Sequence, residues 1–560
     1  MPDEHLGLGV PGVSTLAKVP TLDGVTPWPA ELERRYRAAG YWRDETLGEL
    51  LRSWAARSAD AVAVVDGGPA GTRLGYAELD RRADRAARGL RALGIQPGDR
   101  VVVHLPNTLE FVVVLFGLLR CAAIPVLALP AHRHAEIEHF AALADAVAYV
   151  IPDRHEGFDY RELAARVTES VPSLRHVLVT GDPGPFTGLA DLPPGAPDPL
   201  PEVDAGEVAV LLISGGTTGK PKLIPRTHRD YAYNARASAE VCALTPDDVY
   251  LACLPIAHNF PLACPGLLGA LGVGARVVLA PAPSPDVGLA LVGRERVTVT
   301  ALVPPMARMW VEVAAWDTGD RSSLRLLQVG GAKLDAALAR RIPPALGCRV
   351  QQVFGMAEGL LNYTRLNDPE ELVARTQGRP LCPDDELRVV DQTGRDVPAG
   401  EVGELWTRGP YTLRGYYRAA AYNAGAFTGD GFYKSGDLVR WLPSGHVVVE
   451  GRVKDVINRG GENVSAATLE EHLLAHPAIA AVAVLGIPDE SVGERVCAVV
   501  TLAEGVARAP KLRELRAFLA ERGLARFCNP DKVVIRADLP LTAVGKIDKR
   551  ALATELAAEP

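Results

Sequence analysis

The sequence has few of the features that mark membrane-spanning, disulfide-linked or nucleic-acid-binding chains. Its most apolar short run, Phe111 to Leu119, lies between Glu110 and Arg120 and falls well short of the ~20 residues that cross a bilayer. The eight cysteines are scattered without CxxC pairs, which argues against zinc sites and a disulfide framework. Sixty Lys and Arg against 68 Asp and Glu give a net charge of −8. Because no basic block stands out, we expect no nucleic-acid partner and no membrane partner.

The amino terminus also lacks the pattern of an export signal. Its first ten residues are acidic and contain no charged segment followed by an apolar run, so we expect a cytoplasmic protein. With 560 residues, of which 48% are hydrophobic, the chain is too long for one ordinary domain and can bury a large core. These features are typical of a globular protein of more than one domain.

Helical and β-rich segments alternate along most of the chain. The helical pattern at 76–94 precedes the β-rich runs at 100–106 and 123–130. Such alternation predicts an α/β fold with layered helices and buried, largely parallel strands. After residue 454 the pattern changes to helices and strands of a small α+β unit. We therefore predict a large amino-terminal lobe of packed subdomains, 1–453, and a small carboxyl-terminal lobe, 454–560.

A string of small polar residues, LLISGGTTGKPK, follows an apolar strand at 211–222. Small residues let backbone N–H groups and hydroxyls close around phosphate oxygens, and a lysine adds positive charge. A Walker-type P-loop would require glycine at position 214 and Ser or Thr after Lys220, but Ser214 and Pro221 break that pattern. The string therefore predicts a phosphate-binding loop of another class.

This string resembles the signature of the adenylate-forming superfamily of acyl-CoA synthetases, nonribosomal-peptide adenylation domains and luciferases. Gly215 stands where most members carry serine, a feature of the aryl-acid branch. Similar family motifs follow in order over nearly the whole chain: VFGMAEG (353–359), KSGDLVR (434–440), GRVKDVINRGGENV (451–464) and PLTAVGKIDK (540–549). The resemblance implies an enzyme that uses ATP with Mg²⁺ to form an acyl-adenylate and then transfers the acyl group to a thiol.

The resemblance also assigns a nucleotide site. It comprises Ser214, Gly215, Gly216, Thr217, Thr218, Lys222, Gly331, Ala332, Gly355, Met356, Ala357, Asp437 and Arg452. Within this set, the Asp437 carboxylate is expected to accept hydrogen bonds from the ribose hydroxyls. Arg452 is expected to lie near the same sugar. Glu358 is expected to hold Mg²⁺ against the ATP phosphates, because this ion prefers oxygen ligands. Ala357 replaces the family's usual threonine and removes one hydroxyl from the phosphate site.

Three residues are expected to carry the catalytic steps: Lys546, His258 and Glu358. Lys546 resembles the lysine of the mobile lobe that bridges the substrate carboxylate and the α-phosphate, where two anions must approach each other. His258 is expected near the carboxylate of the acid. Lys454 occupies the family's hinge position, where one residue absorbs the lobe rotation between the two half-reactions.

The segment PIAHNFPLACP (255–265) resembles the acid pocket of the salicylate and 2,3-dihydroxybenzoate ligases that start siderophore assembly. The substrate-binding residues expected from this resemblance are Asn259, Phe260, Cys264, Gly330, Val353 and Leu361. Asn259 is expected to hydrogen-bond the ring 2-hydroxyl, since a buried amide needs such a partner. Amino-acid-activating relatives carry aspartate at this position to pair with the α-ammonium group, so the asparagine argues for an acid without an amine.

Salicylate is the expected substrate, and 2,3-dihydroxybenzoate is the alternative. Cys264 stands where dihydroxybenzoate ligases typically carry serine, and a thiol is a much weaker partner for a ring 3-hydroxyl. Phe260 lacks the hydroxyl of the tyrosine found in those relatives, and Leu361 fills more space than their valine. All three differences favour the acid without the 3-hydroxyl.

No carrier domain follows Lys546, so we expect the acceptor thiol on another chain. It belongs either to the phosphopantetheine of an aryl carrier protein or to coenzyme A. One rival hypothesis is therefore a benzoate-type CoA ligase. Another is an idle homologue that binds the acid or AMP as a regulator, against which the intact Lys546, Glu358 and Asp437 argue.

Overall fold

The computed structural model describes residues 21–196, 199–214, 221–459, 462–489, 493–506, 508–522, 524, 528–542 and 545–558. Two large sheets, of nine and seven strands, form the main body. Most of their strands pair in parallel, and antiparallel strands lie at their edges. This arrangement confirms the predicted α/β fold.

The nine-stranded sheet supplies several of the predicted site residues at the ends of its strands. With strands numbered in chain order, its spatial order is Arg379–Pro380 (β18), Gly359–Tyr363 (β17), Arg349–Met356 (β16), Leu326–Gly330 (β15), Val299–Leu302 (β14), Val249–Ala252 (β12), Arg276–Leu279 (β13), Val62–Asp66 (β1) and Arg73–Gly75 (β2). Strands β12 to β15 are almost wholly buried. Their apolar runs match the composition expected of parallel strands that are covered on both faces.

The other strands form one large and two small sheets and one short pair. The seven-stranded sheet has the order Leu223–Thr227 (β11), Val208–Ile213 (β10), Ile124–Leu127 (β4), Arg100–Val103 (β3), Ala148–Pro152 (β5), His176–Thr180 (β8) and Thr187–Gly188 (β9). A four-stranded antiparallel sheet comprises Glu386–Val390 (β19), Val402–Arg408 (β20), Tyr433–Trp441 (β21) and Val447–Arg452 (β22). The last sheet comprises Val456–Arg459 (β23), Glu462–Ser465 (β24), Ile479–Asp489 (β25), Gly493–Leu502 (β26) and Lys532–Ile535 (β27). Arg154–His155 (β6) and Phe158–Asp159 (β7) form the short pair.

Helices cover both large sheets and fill the space between them. They are Ala30–Ala38 (α1), Leu47–Arg57 (α2), Tyr76–Ala92 (α3), Leu109–Arg120 (α4), His134–Ala144 (α5), Tyr160–Ser170 (α6), His228–Val241 (α7), Asn259–Ala263 (α8), Gly266–Val273 (α9), Pro285–Glu295 (α10), Pro304–Val313 (α11), Ala336–Leu346 (α12), Glu370–Arg375 (α13), Ala420–Ala426 (α14), Ala466–Leu474 (α15), Leu512–Glu521 (α16) and Lys549–Ala558 (α17). The largest cluster of buried side chains joins the two large sheets through α2, α3, α4, α7 and α9.

Helix α7 begins at a well-defined cap. The Thr227 hydroxyl accepts a hydrogen bond from the Asp230 backbone N–H at 3.2 Å, and the Asp230 carboxylate accepts one from the Thr227 N–H at 2.7 Å. This reciprocal pair is a capping box, which fixes the direction of the first helical turn. The cap thereby sets which side chains of α7 point towards α8.

The last sheet, with α15, α16 and α17, follows residue 454 and has its own cluster of buried side chains. The predicted boundary at 453 and 454 stays a prediction. Within the described residues, no helix is both long enough and apolar enough to cross a membrane. All eight cysteines lie in the described part of the chain, and no disulfide joins any two of them there.

Candidate active site

The predicted apolar walls of the acid pocket lie together. A Cβ built on Gly330, at the end of β15, would lie 3.1 Å from Cε1 and Cζ of Phe260 and 2.7 Å from the Val353 carbonyl oxygen. The Phe260 ring therefore packs directly on the backbone of Gly330. The Leu361 side chain likewise covers Gly355 across the β16–β17 pair. A larger residue at either glycine would displace these side chains.

Asn259 and Cys264 form the polar part of the same pocket, and both are buried. The amide Nδ2 of Asn259 donates to Cys264 Sγ at 3.4 Å, and the Cys264 thiol donates to the Asn259 carbonyl oxygen, also at 3.4 Å. Burial raises the pKa of Cys264 to about 12, so the thiol keeps its proton. The proton and one lone pair of this sulfur are thus already used by Asn259.

Two side chains of α7 that the sequence analysis missed complete this polar group. The Tyr231 hydroxyl donates to Asn259 Oδ1 at 2.9 Å. Asn234 Nδ2 donates to the Ala263 carbonyl oxygen at 2.7 Å and lies 3.7 Å from Cys264 Sγ. Tyr231 and Asn234 are both fully buried, so their hydrogen bonds are made within the protein.

Arg226 connects the acid pocket to the hairpin that carries Glu358. Its guanidinium donates to Asp230 Oδ1 at 2.8 Å, to Asn234 Oδ1 at 3.3 Å and to the Ala357 carbonyl oxygen at 3.1 Å. Arg226 is almost fully buried, and such a charge requires a carboxylate and full hydrogen bonding. The Asp230 carboxylate supplies the counter-charge, so the cation fixes both neighbouring segments.

His258 caps the short helix α8, and the charge of Lys546 acts on it. Its Nδ1 accepts a hydrogen bond from the Phe260 backbone N–H at 3.2 Å. Burial, together with the positive charge of Lys546, lowers the pKa of His258 to about 4. The imidazole is therefore neutral at physiological pH, and its protonated nitrogen can donate a hydrogen bond to an anion.

Lys546 reaches from the small lobe into the large one. A Cβ built on Gly331, whose φ is +83°, would lie 3.3 Å from Lys546 Cε. Burial and the positive charge of Arg452 lower the pKa of Lys546, while Asp437 and Glu358 act in the opposite direction. Both predicted carboxylates thus favour the charged form of Lys546. A second contact joins the lobes, because Lys333 Nζ lies 3.1 Å from Glu471 Oε2 on α15.

Glu358 lies in the turn between β16 and β17 and is held by tyrosines. The Tyr416 hydroxyl donates to Glu358 Oε1 at 2.8 Å, and the Tyr416 and Tyr433 hydroxyls are 2.8 Å apart. Burial raises the pKa of Glu358, whereas the hydrogen bond from Tyr416 lowers it. Among the described residues, no group of three or more His, Cys, Asp and Glu side chains could hold a metal ion. A single carboxylate still suits Mg²⁺ that arrives with ATP, because phosphates and water complete its coordination.

Asp437 and Arg452 are directly opposite each other on β21 and β22. Arg452 Nε donates to Asp437 Oδ1 at 2.8 Å. This carboxylate raises the pKa of Arg452. The predicted ribose-binding pair is therefore brought together by the register of one hairpin.

The phosphate-loop residues are described only at the two ends of the loop. The Ser214 N–H donates to the Lys222 carbonyl oxygen, and the Lys222 N–H donates to Ser214 Oγ, both at 2.9 Å. Gly215, Gly216, Thr217 and Thr218 lie outside the described residues. Lys222 Nζ lies 3.8 Å from the ring centroid of Tyr422. Burial lowers the pKa of Lys222, and so does the nearby charge of Lys454 in the 3₁₀ turn Val453–Asp455.

The remaining predicted nucleotide residues lie on either side of this centre. Ala332 follows Gly331 and is exposed, whereas Met356 and Ala357 precede Glu358 and are half-buried. The structure thus brings together nearly all the described residues that the sequence analysis selected. It adds Arg226, Tyr231, Asn234, Tyr416 and Tyr433, which hold those residues in place and lie outside the pocket segment and family motifs used for selection.

The sequence matches two family profiles, AMP-binding enzyme over residues 51–417 and AMP-binding enzyme C-terminal domain over 468–546. The chain belongs to the AMP-binding enzyme family. It is 54% identical to the 2,3-dihydroxybenzoate-AMP ligase of Bacillus subtilis, covering 95% of this chain and 97% of that one. It is also 54% identical to the salicyl-AMP ligase / salicyl-S-ArCP synthetase of Mycobacterium tuberculosis, covering 96% and 95%.

Among solved structures of the family, the Mycobacterium smegmatis MbtA apo structure is similar to this chain. The sequence identity is 55%, the TM-score is 0.74, and the match covers 95% of this chain and 99% of that one. These comparisons confirm the predicted membership of the adenylate-forming superfamily and the predicted class of aryl-acid ligase. The two curated relatives are equally identical to this chain, so overall similarity does not separate salicylate from its 3-hydroxy derivative.

Proposed function

We propose that this member of the AMP-binding enzyme family activates salicylate as salicyl-AMP and transfers the acyl group to the phosphopantetheine of an aryl carrier protein. The hydrogen bonds of Cys264 support salicylate as the acid. Its thiol proton is directed to the Asn259 carbonyl oxygen, and its sulfur accepts from Asn259 Nδ2. A ring 3-hydroxyl at this position would therefore find no good partner, which favours salicylate over 2,3-dihydroxybenzoate.

In the first half-reaction, a carboxylate oxygen of the acid attacks the α-phosphorus of ATP. The bond to the bridging oxygen breaks, and pyrophosphate leaves with the negative charge. Lys546, which lies next to Gly331, would neutralise the two anions as they approach. The neutral His258 would donate a hydrogen bond to the same carboxylate, which orients it without adding charge.

ATP would bind as its Mg²⁺ complex. Glu358, held by Tyr416, would supply the one protein carboxylate to the ion, which neutralises phosphate charge. The Asp437 carboxylate would accept hydrogen bonds from the ribose hydroxyls, and Arg452 would keep that carboxylate oriented. Ser214, Lys222 and the intervening small residues would enclose the phosphates.

In the second half-reaction, a thiolate sulfur attacks the acyl carbon and AMP leaves. The small lobe has to turn about Lys454 so that Lys546 withdraws and the thiol can approach. The relative named as a salicyl-S-ArCP synthetase supports a carrier protein as the acceptor. With such an acceptor the reaction would start a nonribosomal peptide, as in siderophore assembly. Coenzyme A is the alternative acceptor.

The test is acid-dependent exchange of labelled pyrophosphate into ATP with salicylate, 2,3-dihydroxybenzoate and benzoate. We expect kcat/KM to be highest for salicylate. A second assay compares thioester formation with a phosphopantetheinylated aryl carrier protein and with free coenzyme A. Exchange with none of the acids would refute the adenylation function. Faster transfer to coenzyme A than to the carrier would make coenzyme A the acceptor and leave the adenylation function standing.

A further inference from the structure

The amide of Asn259 is held in one of its two possible orientations. Its Oδ1 accepts from the Tyr231 hydroxyl at 2.9 Å, and its Nδ2 donates to Cys264 Sγ at 3.4 Å. An amide nitrogen carries two hydrogens, and an amide oxygen carries no hydrogen. One N–H of Asn259 thus remains for a ligand, while Tyr231 occupies the oxygen side.

The alternative orientation is disfavoured by Tyr231. Within the described part of the chain, the hydroxyl of Tyr231 donates only to Asn259 Oδ1, and the residue is fully buried. A flipped amide would present its nitrogen to Tyr231 and leave the hydroxyl proton without an acceptor. Leaving a buried donor unpaired costs about 1–3 kcal/mol. That cost selects the orientation in which Asn259 offers a donor.

The Tyr231 ring is itself fixed by a buried cation. The Arg226 guanidinium carbon lies 4.7 Å from the centroid of the ring, and Arg226 is bound to Asp230 and Asn234. Tyr231 therefore has a rigid position from which to hold the amide. Its hydroxyl contacts Asn259 and would act on the acid only through that amide.

We infer that Tyr231 is a specificity-determining positioning residue, which makes the pocket select aryl acids whose ortho substituent accepts a hydrogen bond. This inference rests on the proposed role of Asn259 towards the 2-position of the ring. In salicylate the hydroxyl proton turns to the neighbouring carboxylate, so the oxygen faces outward as an acceptor. In 2-aminobenzoate the outward group is an N–H donor, which meets the N–H of Asn259.

The experiment measures kcat/KM for pyrophosphate exchange with salicylate, 2-aminobenzoate and benzoate in Tyr231→Phe. The matched control is Tyr250→Phe, because Tyr250 is equally buried and its hydroxyl has no hydrogen-bond partner in the described residues. In Tyr231→Phe the amide can turn, so the preference for salicylate over 2-aminobenzoate should fall roughly tenfold, the worth of about one hydrogen bond. The control should keep the parental preference.

The benzoate rate separates this role from general damage to the pocket. Benzoate has no ortho group, so its kcat/KM should change much less than that of salicylate in Tyr231→Phe. An equal fall for all three acids, or an unchanged ratio of salicylate to 2-aminobenzoate, would overturn the inference. A parent enzyme that activates none of these acids would instead refute the proposed function itself.

Discussion

Replacing Cys264 by serine should weaken the discrimination against 2,3-dihydroxybenzoate. In the parent, the thiol proton is engaged with the Asn259 carbonyl oxygen, and Asn259 Nδ2 donates to the sulfur. A buried hydroxyl without a partner costs about 1–3 kcal/mol, which corresponds to roughly 5-fold to 150-fold in kcat/KM. Pockets of this kind seldom reject an added hydroxyl by more than ~10²-fold, so the parent should retain some activity on the dihydroxy acid.

Serine is smaller than cysteine and is a stronger donor and acceptor. In Cys264→Ser the ring 3-hydroxyl gains both space and a partner, and the ratio of kcat/KM for salicylate over 2,3-dihydroxybenzoate should fall roughly tenfold, or about 1.4 kcal/mol. Most of the change should come from faster reaction of the dihydroxy acid. Pyrophosphate exchange with each acid under subsaturating conditions measures the ratio directly.

Cys121→Ser is the matched control for this substitution. Cys121 is also buried, and its thiol also donates to a backbone carbonyl oxygen at 3.4 Å, that of Leu118 on α4. This variant should keep the parental ratio. A parent that prefers 2,3-dihydroxybenzoate, or a ratio that is the same in Cys264→Ser as in the control, would refute the assignment of Cys264 to the 3-position.

The other predictions concern the nucleotide side and the lobe movement. Lys546→Ala should slow adenylate formation by roughly 10²–10³-fold, while thioester formation from supplied aryl-AMP continues. A near-parental rate of pyrophosphate exchange would show that Lys546 does not serve the adenylation step. Because the pKa of Lys546 is lowered from 10.5 and the charged form is needed, exchange should decline as pH rises through that lowered value, and Lys546→Arg should move the decline upward. Tyr416→Phe removes a hydrogen bond that lowers the pKa of Glu358. The acid limb of the pH profile of exchange should therefore move to higher pH, and exchange should slow roughly tenfold. An acid limb that does not move would argue against this coupling. Lys454→Pro should harm one half-reaction far more than the other, and equal loss in both would count against rotation about this residue.

The sequence was sufficient to predict which site residues contact each other when both lie in one short hairpin or motif. Asp437 and Arg452 meet because a short hairpin pairs them, and hairpin register is a local property. Lys546 was found through the resemblance of its turn to a family motif. Its place beside Gly331 depends on how two lobes pack, which no local pattern encodes.

The residues behind the acid pocket were missed for a physical reason. Tyr231 and Asn234 contact the pocket because α7 packs against α8, and Arg226 on β11 reaches the pocket through Asn234. These contacts are tertiary, and no local pattern encodes them. One signal was present: Asp230, Asn234 and Ser238 recur at four-residue spacing and so share one helix face. All three are buried. A polar stripe of this kind on an otherwise apolar helix face indicates a buried hydrogen-bond network.

The position of Arg226 limits how the acid specificity of this enzyme can be redesigned. The same guanidinium donates to Asn234 beside the acid pocket and to the Ala357 carbonyl oxygen next to Glu358. Enlarging the pocket by substitutions on α7 would therefore loosen the segment that carries the predicted Mg²⁺ ligand and weaken the use of ATP. Exchanges confined to α8 and to Leu361 leave Arg226 and its contacts unchanged, and they are the safer route to new aryl acids.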